Sequence, residues 1–368
     1  MKKIIVCLIG LVVFLACKTE ERKAVKKPLP ISQDVIASAV IYEANIRQYS
    51  EEGTFSAFIK DIPQLKELGV RIIWLMPIFP ISLTKRKATG GDFASKIADP
   101  EERAKALGSY YAVSDFKKIN PEFGTIQDFR KLVQTAHENG MYVILDWVPN
   151  HTGWDHSWLK TNPEFYTKND KGEITDPLNE DGLTMGWADV ADLNYDNKAL
   201  RKEMTNDMLY WLQNEAVDGF RCDVAGLVPL DFWQEVIPKL RAEKDIFMLA
   251  EAWEPSLLKE GLFDMAYGWD THHVLNAIAK GEDIVKKWDE NYVKDTTRYE
   301  VNDLLMNFVT NHDENSWNGT VQERMGDAAE VFTVLTYMAP GMPLIYSGQE
   351  YGLKHRLKFF EKDVIPHE

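Results

Sequence analysis

Met141-Tyr-Val-Ile-Leu-Asp146-Trp-Val-Pro-Asn150-His151 sets an apolar run directly before a knot of polar side chains. The order recurs along the chain. Val217-Asp-Gly-Phe220 leads into Arg221-Cys-Asp223, Ile246-Phe-Met-Leu-Ala250 into Glu251, and Leu304-Leu-Met-Asn-Phe-Val309 towards His312-Asp313. Short unbroken apolar runs are how parallel strands read when both faces of their sheet are covered. Their alternation with helical stretches predicts an α/β fold, a (β/α)8 TIM barrel, in which chemistry gathers at the carboxyl ends of the strands.

Outward from that stretch, 39–45 and 70–75 supply two earlier strands, with a helix over 55–68 between them that ends at Gly69. A helix over 126–139, opened by Thr125 and closed by Gly140, precedes the third strand at 141–145. Further strands fall at 217–220, 246–250, 263–267, 304–309 and 343–347, and further helices at 198–214, near 232–240, from 271, and at 327–338. Two excursions are too long for simple connections: 78–109, and 151–197 after the third strand. The second, rich in Trp, Asp, Asn, Gly and Pro, reads as a small irregular subdomain over the barrel mouth. Loops of this length in a compact domain are usually functional or disordered. After the eighth strand, 356–364 is too short for a normal eighth helix. The chain is therefore expected either to be a fragment or to close its barrel unusually, with apolar surface left exposed.

The start of the chain reads as a targeting segment. Lys2 and Lys3 form a basic opening, 4–16 is apolar yet too short to span a bilayer, and Cys17 follows Ala16 directly. That order resembles a bacterial lipoprotein signal, with cleavage before Cys17 and a lipid on its sulfur; ordinary secretion and uncleaved anchoring are the alternatives. The expected organisation is a signal over 1–17, a tether over 18–34 and a barrel over 35–368, at the cell envelope with a membrane partner through the anchor. Only Cys7, Cys17 and Cys222 occur, so no disulfide framework is expected. Cys222, between Arg221 and Asp223 on a strand, should point away from both as a small buried hydrophobe.

The net charge of -15 argues against a nucleic-acid partner, whose phosphates would be repelled. With 11 Trp, 14 Tyr and 17 Phe the chain is rich in flat rings, which serve cores and also give sugar faces something to stack on.

Three acids and an arginine delivered to one mouth suit hydrolysis of a glycosidic bond. Retention needs a carboxylate nucleophile and a carboxylic acid about 5–5.5 Å apart. Arg221, two residues before Asp223 on the same strand face, would keep that carboxylate charged. Glu251, following Phe-Met-Leu-Ala and preceding Trp253, would gain a raised pKa from burial beside rings. Asp313 would face developing positive charge. Each residue also has a plainer reading. Asp146 and Arg221 would make a buried ion pair at a strand end, His151 and His312 would be hydrogen-bonded core histidines, and Tyr111 would pack the wall.

The clusters, in their order and wording, resemble glycoside hydrolase family 13, the α-amylase family, over about 38 to 352. The matching stretches are Asp146-Trp-Val-Pro-Asn-His151, Gly219-Phe-Arg-Cys-Asp-Val224, Ala250-Glu-Ala252 and Val309-Thr-Asn-His-Asp313, with Asp192-Leu-Asn194 in the inserted subdomain. The resemblance implies Asp223 as nucleophile, Glu251 as acid/base and Asp313 as transition-state stabiliser. It implies that Arg221, His151 and His312 hold sugar hydroxyls, that Tyr111 stacks under the sugar, and that Asp146 organises the site. It implies an α-glucan partner and a calcium ion near Asn150 and Asp192, although Asn150 would equally cap its loop. After Asp223 the chain reads Val224-Ala-Gly-Leu-Val228 and lacks the Lys-His pair common in dedicated α-amylases. That leaves α-glucosidase, maltogenic or cyclodextrin-cleaving, and transglycosylating activities open, besides a catalytically weak glycan-binding lipoprotein. The β-sandwich usual after such barrels is missing.

Overall fold

The computed structural model describes residues 31–179 and 181–367. The signal, Cys17 and most of the tether lie outside these residues. Among the described residues, no helix is long and apolar enough to cross a membrane. The last part of the expected tether belongs to the fold. Gln33–Ile36 forms a single helical turn, and Ile31, Val35 and Ile36 pack against the barrel's inner cluster.

Ten strands follow in chain order: β1 Val40–Ala44, β2 Val70–Leu75, β3 Tyr142–Trp147, β4 His151–Gly153, β5 Val190–Asp192, β6 Gly219–Cys222, β7 Phe247–Ala250, β8 Met265–Tyr267, β9 Leu304–Asn307 and β10 Met342–Tyr346. Eight of them close a parallel barrel in the order β1-β10-β9-β8-β7-β6-β3-β2. The remaining two, β4 and β5, pair antiparallel as a ribbon inside the 151–197 insertion. The expected (β/α)8 barrel is thus present.

Side chains alternate across each strand. One set fills the barrel interior, including Ile41, Ile72, Trp74, Ile144, Leu249 and Met306. The other set packs outward beneath the helices, including Tyr42, Ile73, Leu145, Phe220, Cys222 and Met248. Cys222 is buried and free, as its strand phase predicts. At the carboxyl ends the inward phase changes from apolar to charged: Ile41 is followed by Glu43, Ile144 by Asp146, Gly219 by Arg221 and Leu249 by Glu251. That single switch turns a packed core into a reactive floor.

Gly219 shows how tightly the strands approach there. With φ at +150°, a Cβ built on it would lie 1.9 Å from the Phe247 carbonyl oxygen.

The helix Ile126–Glu138 is capped by a reciprocal Thr125–Asp128 box. The expected continuous helix over 55–68 is instead broken into Phe55–Phe58, a 3-10 turn Ile59–Asp61, and Ile62–Glu67. Pro63 lacks an N–H to carry one helix through, but is well placed in the first turn of a new one. A second helix after β8, Lys286–Arg298, was not apparent from periodicity. After β10 a 3-10 turn, Gln349–Tyr351, leads into 352–367, which contains no helix. This segment folds back on the mouth: Gln48 Nε2 donates to the carbonyls of Lys358 and Glu361, and Arg47 Nη1 to that of Phe359. On the helix Ala329–Met338, Val331, Val334, Tyr337 and Met338 remain exposed.

Candidate active site

Arg221 is wholly buried at the centre of the floor. Its Nη1 donates to Asp146 Oδ1 at 2.8 Å and to Asp223 Oδ1 at 3.0 Å, and Nη2 pairs with Glu251 Oε2 at 2.9 Å. Its Nε donates to the Tyr267 hydroxyl at 3.1 Å, and the Trp74 ring lies 4.9 Å from the guanidinium carbon. One planar cation therefore holds carboxylates from β3, from just past β6 and from just past β7. Arginine suits this role because its fork presents several donors in one plane.

Asp146 ties this cluster to a second one. Its Oδ2 accepts from Trp74 Nε1 and from the Tyr111 hydroxyl, both at 3.1 Å. That hydroxyl also meets His312 Nε2 at 2.8 Å, and His312 Nδ1 reaches Glu43 Oε1 at 2.5 Å. The same His312 Nε2 lies 3.3 Å from Asp313 Oδ2. A hydrogen-bonded chain thus runs Glu43–His312–Tyr111–Asp146–Arg221 across the barrel. The ion-pair reading of Asp146 and Arg221 and the hydrogen-bonded reading of His312 both hold; they are the framework of the site rather than alternatives to it.

Above the floor opens a cavity of about 330 Å³. Asp223, Glu251, Asp313, Tyr111, His151 and His312 all line it, so the sequence-derived candidates do converge. Asp146 and Arg221 lie directly beneath. Several lining groups went unnoticed in the sequence. Lys87 and Asp189 pair at 3.2 Å across the two insertions. Trp187 sits edge-on to His151. Phe359 and Phe360 come from the folded-back segment, and Trp317 from the turn after Asp313. Glu43 was missed too, although a lone acid near the end of Val-Ile-Tyr-Glu-Ala was a legible signal.

Five carboxylates, Glu43, Asp146, Asp223, Glu251 and Asp313, surround two cations, Arg221 and His312. Burial pushes the Asp146 carboxyl up to about 6, against the pull of Arg221 and His312. Asp223 is also driven well above the usual carboxylate range by burial; Arg221 opposes this, while Glu251, Asp146 and Asp313 add to it. The expectation that Arg221 alone keeps Asp223 charged is therefore incomplete. Burial thus favours the protonated form at both Asp146 and Asp223, against the same guanidinium. Burial by itself would lower His312, but Asp313 and Glu43 outweigh it and raise the imidazole to about 9. His151, buried without such partners, is lowered to about 3.

The expected apolar bed for Glu251 is not what surrounds it. Its Oε2 accepts from the Val224 backbone N–H at 2.8 Å and faces Arg221, while Trp253 turns outward with 41% of its surface exposed.

Asn150 and Asp192 bracket the small ribbon. The Asn150 carbonyl accepts from Leu193 N at 3.1 Å, and burial raises the Asp192 carboxyl to about 6. Among the described residues, no group of three or more His, Cys, Asp or Glu gathers around a point where an ion would sit. Calcium takes about six to eight oxygens, so Asn150 and Asp192 would supply two of them and backbone carbonyls or waters the rest.

Residues 41–365 match the family model described as alpha amylase, catalytic domain. Among curated relatives, the chain is 26% identical over 328 residues to Alpha-amylase MalA of Haloarcula japonica, covering 86% of this chain and 45% of that protein. It is 29% identical over 340 residues to a 4-alpha-glucanotransferase of Thermotoga neapolitana, covering 82% of this chain and 68% of that one. It therefore spans less than half of the first relative and about two thirds of the second. Among solved structures, an alpha-amylase from Lactobacillus plantarum superposes with a TM-score of 0.77 at 34% identity, over 90% of this chain and 76% of that one. A noncanonic maltogenic alpha-amylase, AmyB, from Thermotoga neapolitana gives 0.78 at 32%, over 90% and 73%.

Proposed function

The chain belongs to the alpha-amylase family, and from that premise we propose that it is a retaining α-glycosidase cutting α-1,4-glucosidic bonds in starch, maltodextrin or related α-glucans. One observation carries the reading: Asp223 and Glu251 grip the two arms of a single buried guanidinium at the floor of one cavity, with Asp313 lining the same space. Sharing one guanidinium favours the close carboxylate spacing of about 5–5.5 Å used for retention over the wider spacing used for inversion.

Glu251 gives its proton to the glycosidic oxygen while Asp223 attacks the anomeric carbon, so the leaving chain departs as an alcohol. A β-linked glycosyl-aspartate results. Glu251, now ionised, takes a proton from water, and the oxygen of that water attacks the same carbon and frees Asp223. Two inversions give net retention. Asp313 stabilises the positive charge that develops on the sugar in the transition state while Arg221 holds the other acids in place, and such fixed electrostatics are often the largest contribution to catalysis. Tyr111 offers its ring to the sugar, His151 faces its hydroxyls from the cavity wall, and His312, engaged by Glu43 and by the Tyr111 hydroxyl, orients that ring.

Transfer to a second sugar hydroxyl instead of water is the companion reading. It is favoured by the apolar Val224-Ala-Gly-Leu-Val228 stretch beside the nucleophile, where the Lys-His pair common in dedicated α-amylases is lacking. No step here runs through a metal; activity or melting lost in EDTA would show that the fold needs a calcium ion near Asn150 and Asp192, and resistance to EDTA would rule out a necessary one. For location we propose the cell envelope, through a lipid on Cys17; palmitate labelling that survives Cys17→Ser would refute it.

The decisive experiment incubates the chain with starch, maltotriose, isomaltose and a cyclodextrin, and follows product identity and anomeric form by NMR. α-Anomeric maltodextrin products, lost at least about 10³-fold in Asp223→Asn and in Glu251→Gln with unchanged circular dichroism, are expected. Products that appear first as β-anomers, or turnover that persists in both variants, would overturn the assignment.

A further inference from the structure

The turn after Asp313 is wound as a π-helix, Glu314–Asn318. Wide turns of this kind are rare and frequently sit at functional sites. Its frame is anchored from below. Glu314 Oε1 accepts from Asn318 Nδ2 at 2.9 Å, while Oε2 pairs with His272 at 3.1 Å and with Arg324 at 3.5 Å. Arg324 in turn donates to the Val309 carbonyl, two residues past the end of β9.

The wide turn brings Trp317 back over Asp313. Its indole Nε1–H donates to Asp313 Oδ1 at 3.2 Å, on the carboxylate whose other oxygen faces His312. The ring also lines the cavity, yet 51% of it is exposed, an uncommon position for so large an apolar surface. On its inner side it meets Phe359 at 5.0 Å between centroids, and Phe359 lies nearly parallel to Tyr111, at 6.4 Å and 11°. Trp317, Phe359 and Tyr111 thus form one aromatic wall running from the floor to the rim.

We propose that Trp317 is a positioning residue: its indole N–H fixes the rotamer of Asp313, and its exposed ring extends the sugar-binding wall outward from the cleavage point. This rests on the glucan-cleaving reading of the cavity. A ring that merely covered Phe359 and Phe360 would need no N–H, and Trp317→Phe separates the two roles because it keeps the packing and removes the donor.

Trp317→Phe is expected to lower kcat about 3- to 12-fold with KM within about twofold, the size of one ordinary, partly exposed hydrogen bond lost from the transition state. In an Asp313→Asn background the same change should cost less than about twofold, since its partner is already altered. Trp317→Ala should in addition raise KM for maltoheptaose several-fold more than for maltotriose. Selective ¹⁵N labelling of the indoles gives a readout independent of turnover. The Trp317 signal, identified by its loss in Trp317→Phe, should move in Asp313→Asn. A chain that turns over no α-glucan while this signal still moves would overturn the proposed function and keep the contact. An unmoved signal, wild-type kcat in Trp317→Phe, or an equal loss in both backgrounds would overturn the positioning role. Chain-length-independent KM in Trp317→Ala would overturn the wall.

Discussion

Glu43 on β1 and His312 past β9 meet at 2.5 Å in a wholly buried pair, and the other nitrogen of that imidazole faces Tyr111 and Asp313. His312 therefore sits between carboxylates on two sides, and its raised value of about 9 follows from them. Protonated, it donates to Glu43 through Nδ1 and to the Tyr111 oxygen through Nε2, leaving the Tyr111 O–H to donate to Asp146. The sign for stability is that of a base raised on folding. The contribution is fully present below the unfolded value of about 6.5 and is lost as pH rises through about 9.

Glu43→Gln removes one of the two acids supporting that cation. The His312 titration, followed by imidazole NMR, should move down by about one unit or more, and the alkaline limb of kcat/KM should move with it. His312 titrating unchanged in this variant would show that Asp313 alone supports the cation.

Arg221 is the cation that Asp146, Asp223 and Glu251 share, so deleting it leaves their charges facing one another. Arg221→Met should cost about 3–5 kcal/mol in urea unfolding near pH 7.5. Asp146, whose carboxyl is raised on folding to about 6, favours the folded state below about 4 and loses that contribution as pH rises through 6. The deficit of the variant should accordingly shrink near pH 4.5, where the acids regain protons. A penalty equal at both pH values would point to lost packing instead of unbalanced charge.

The eight strands were legible because burial on both faces makes them apolar throughout, and the acids were legible because they interrupt that pattern at strand ends. Asp146, Arg221, Asp223 and Glu251 share the inward phase of Ile144, Gly219 and Leu249, so strand period alone places them together. Glu43 obeys the same rule on β1 but carries no neighbouring motif to draw the eye. The roof was not legible. Lys87 and Asp189 come from separate insertions without period, and only the folded chain brings their charges to 3.2 Å. Phe359 and Phe360 lie in a stretch judged only as a failed eighth helix, where the backbone is irregular and side-chain direction follows from contacts with Arg47 and Gln48. Trp317 depends on a π-turn, whose wider winding no helical periodicity anticipates.

Gly219→Ala probes the closeness of β6 and β7. The added methyl would overlap the Phe247 carbonyl, with backbone on both sides and nothing flexible to yield. The variant should fail to fold or lose more than about 4 kcal/mol. Gly140→Ala is the control. It has φ at +74° with nothing within 4 Å of the new Cβ, so only conformational strain of about 1 kcal/mol is expected. Comparable melting of the two variants would mean that the strands part easily, and that the site floor is softer than its packing implies.

Val224 is a β-branched residue held in the left-handed region at φ +37°, directly after the proposed nucleophile. That conformation costs roughly 1–2 kcal/mol for a side chain with a Cβ, and strain of this kind is kept mainly where function requires it. The strained turn aims the Val224 N–H at Glu251 Oε2 at 2.8 Å, which steadies the acid beside Arg221. Val224→Gly should relieve the strain and raise stability by up to about 1 kcal/mol, roughly 2 °C in Tm for a chain of this size. It keeps the N–H but frees the backbone that points it, so kcat should fall several-fold while Tm rises, the exchange expected of a site that stores strain. A melting temperature that drops while kcat is preserved would show that Val224 is retained for its packing, and that Glu251 owes its position to Arg221 alone.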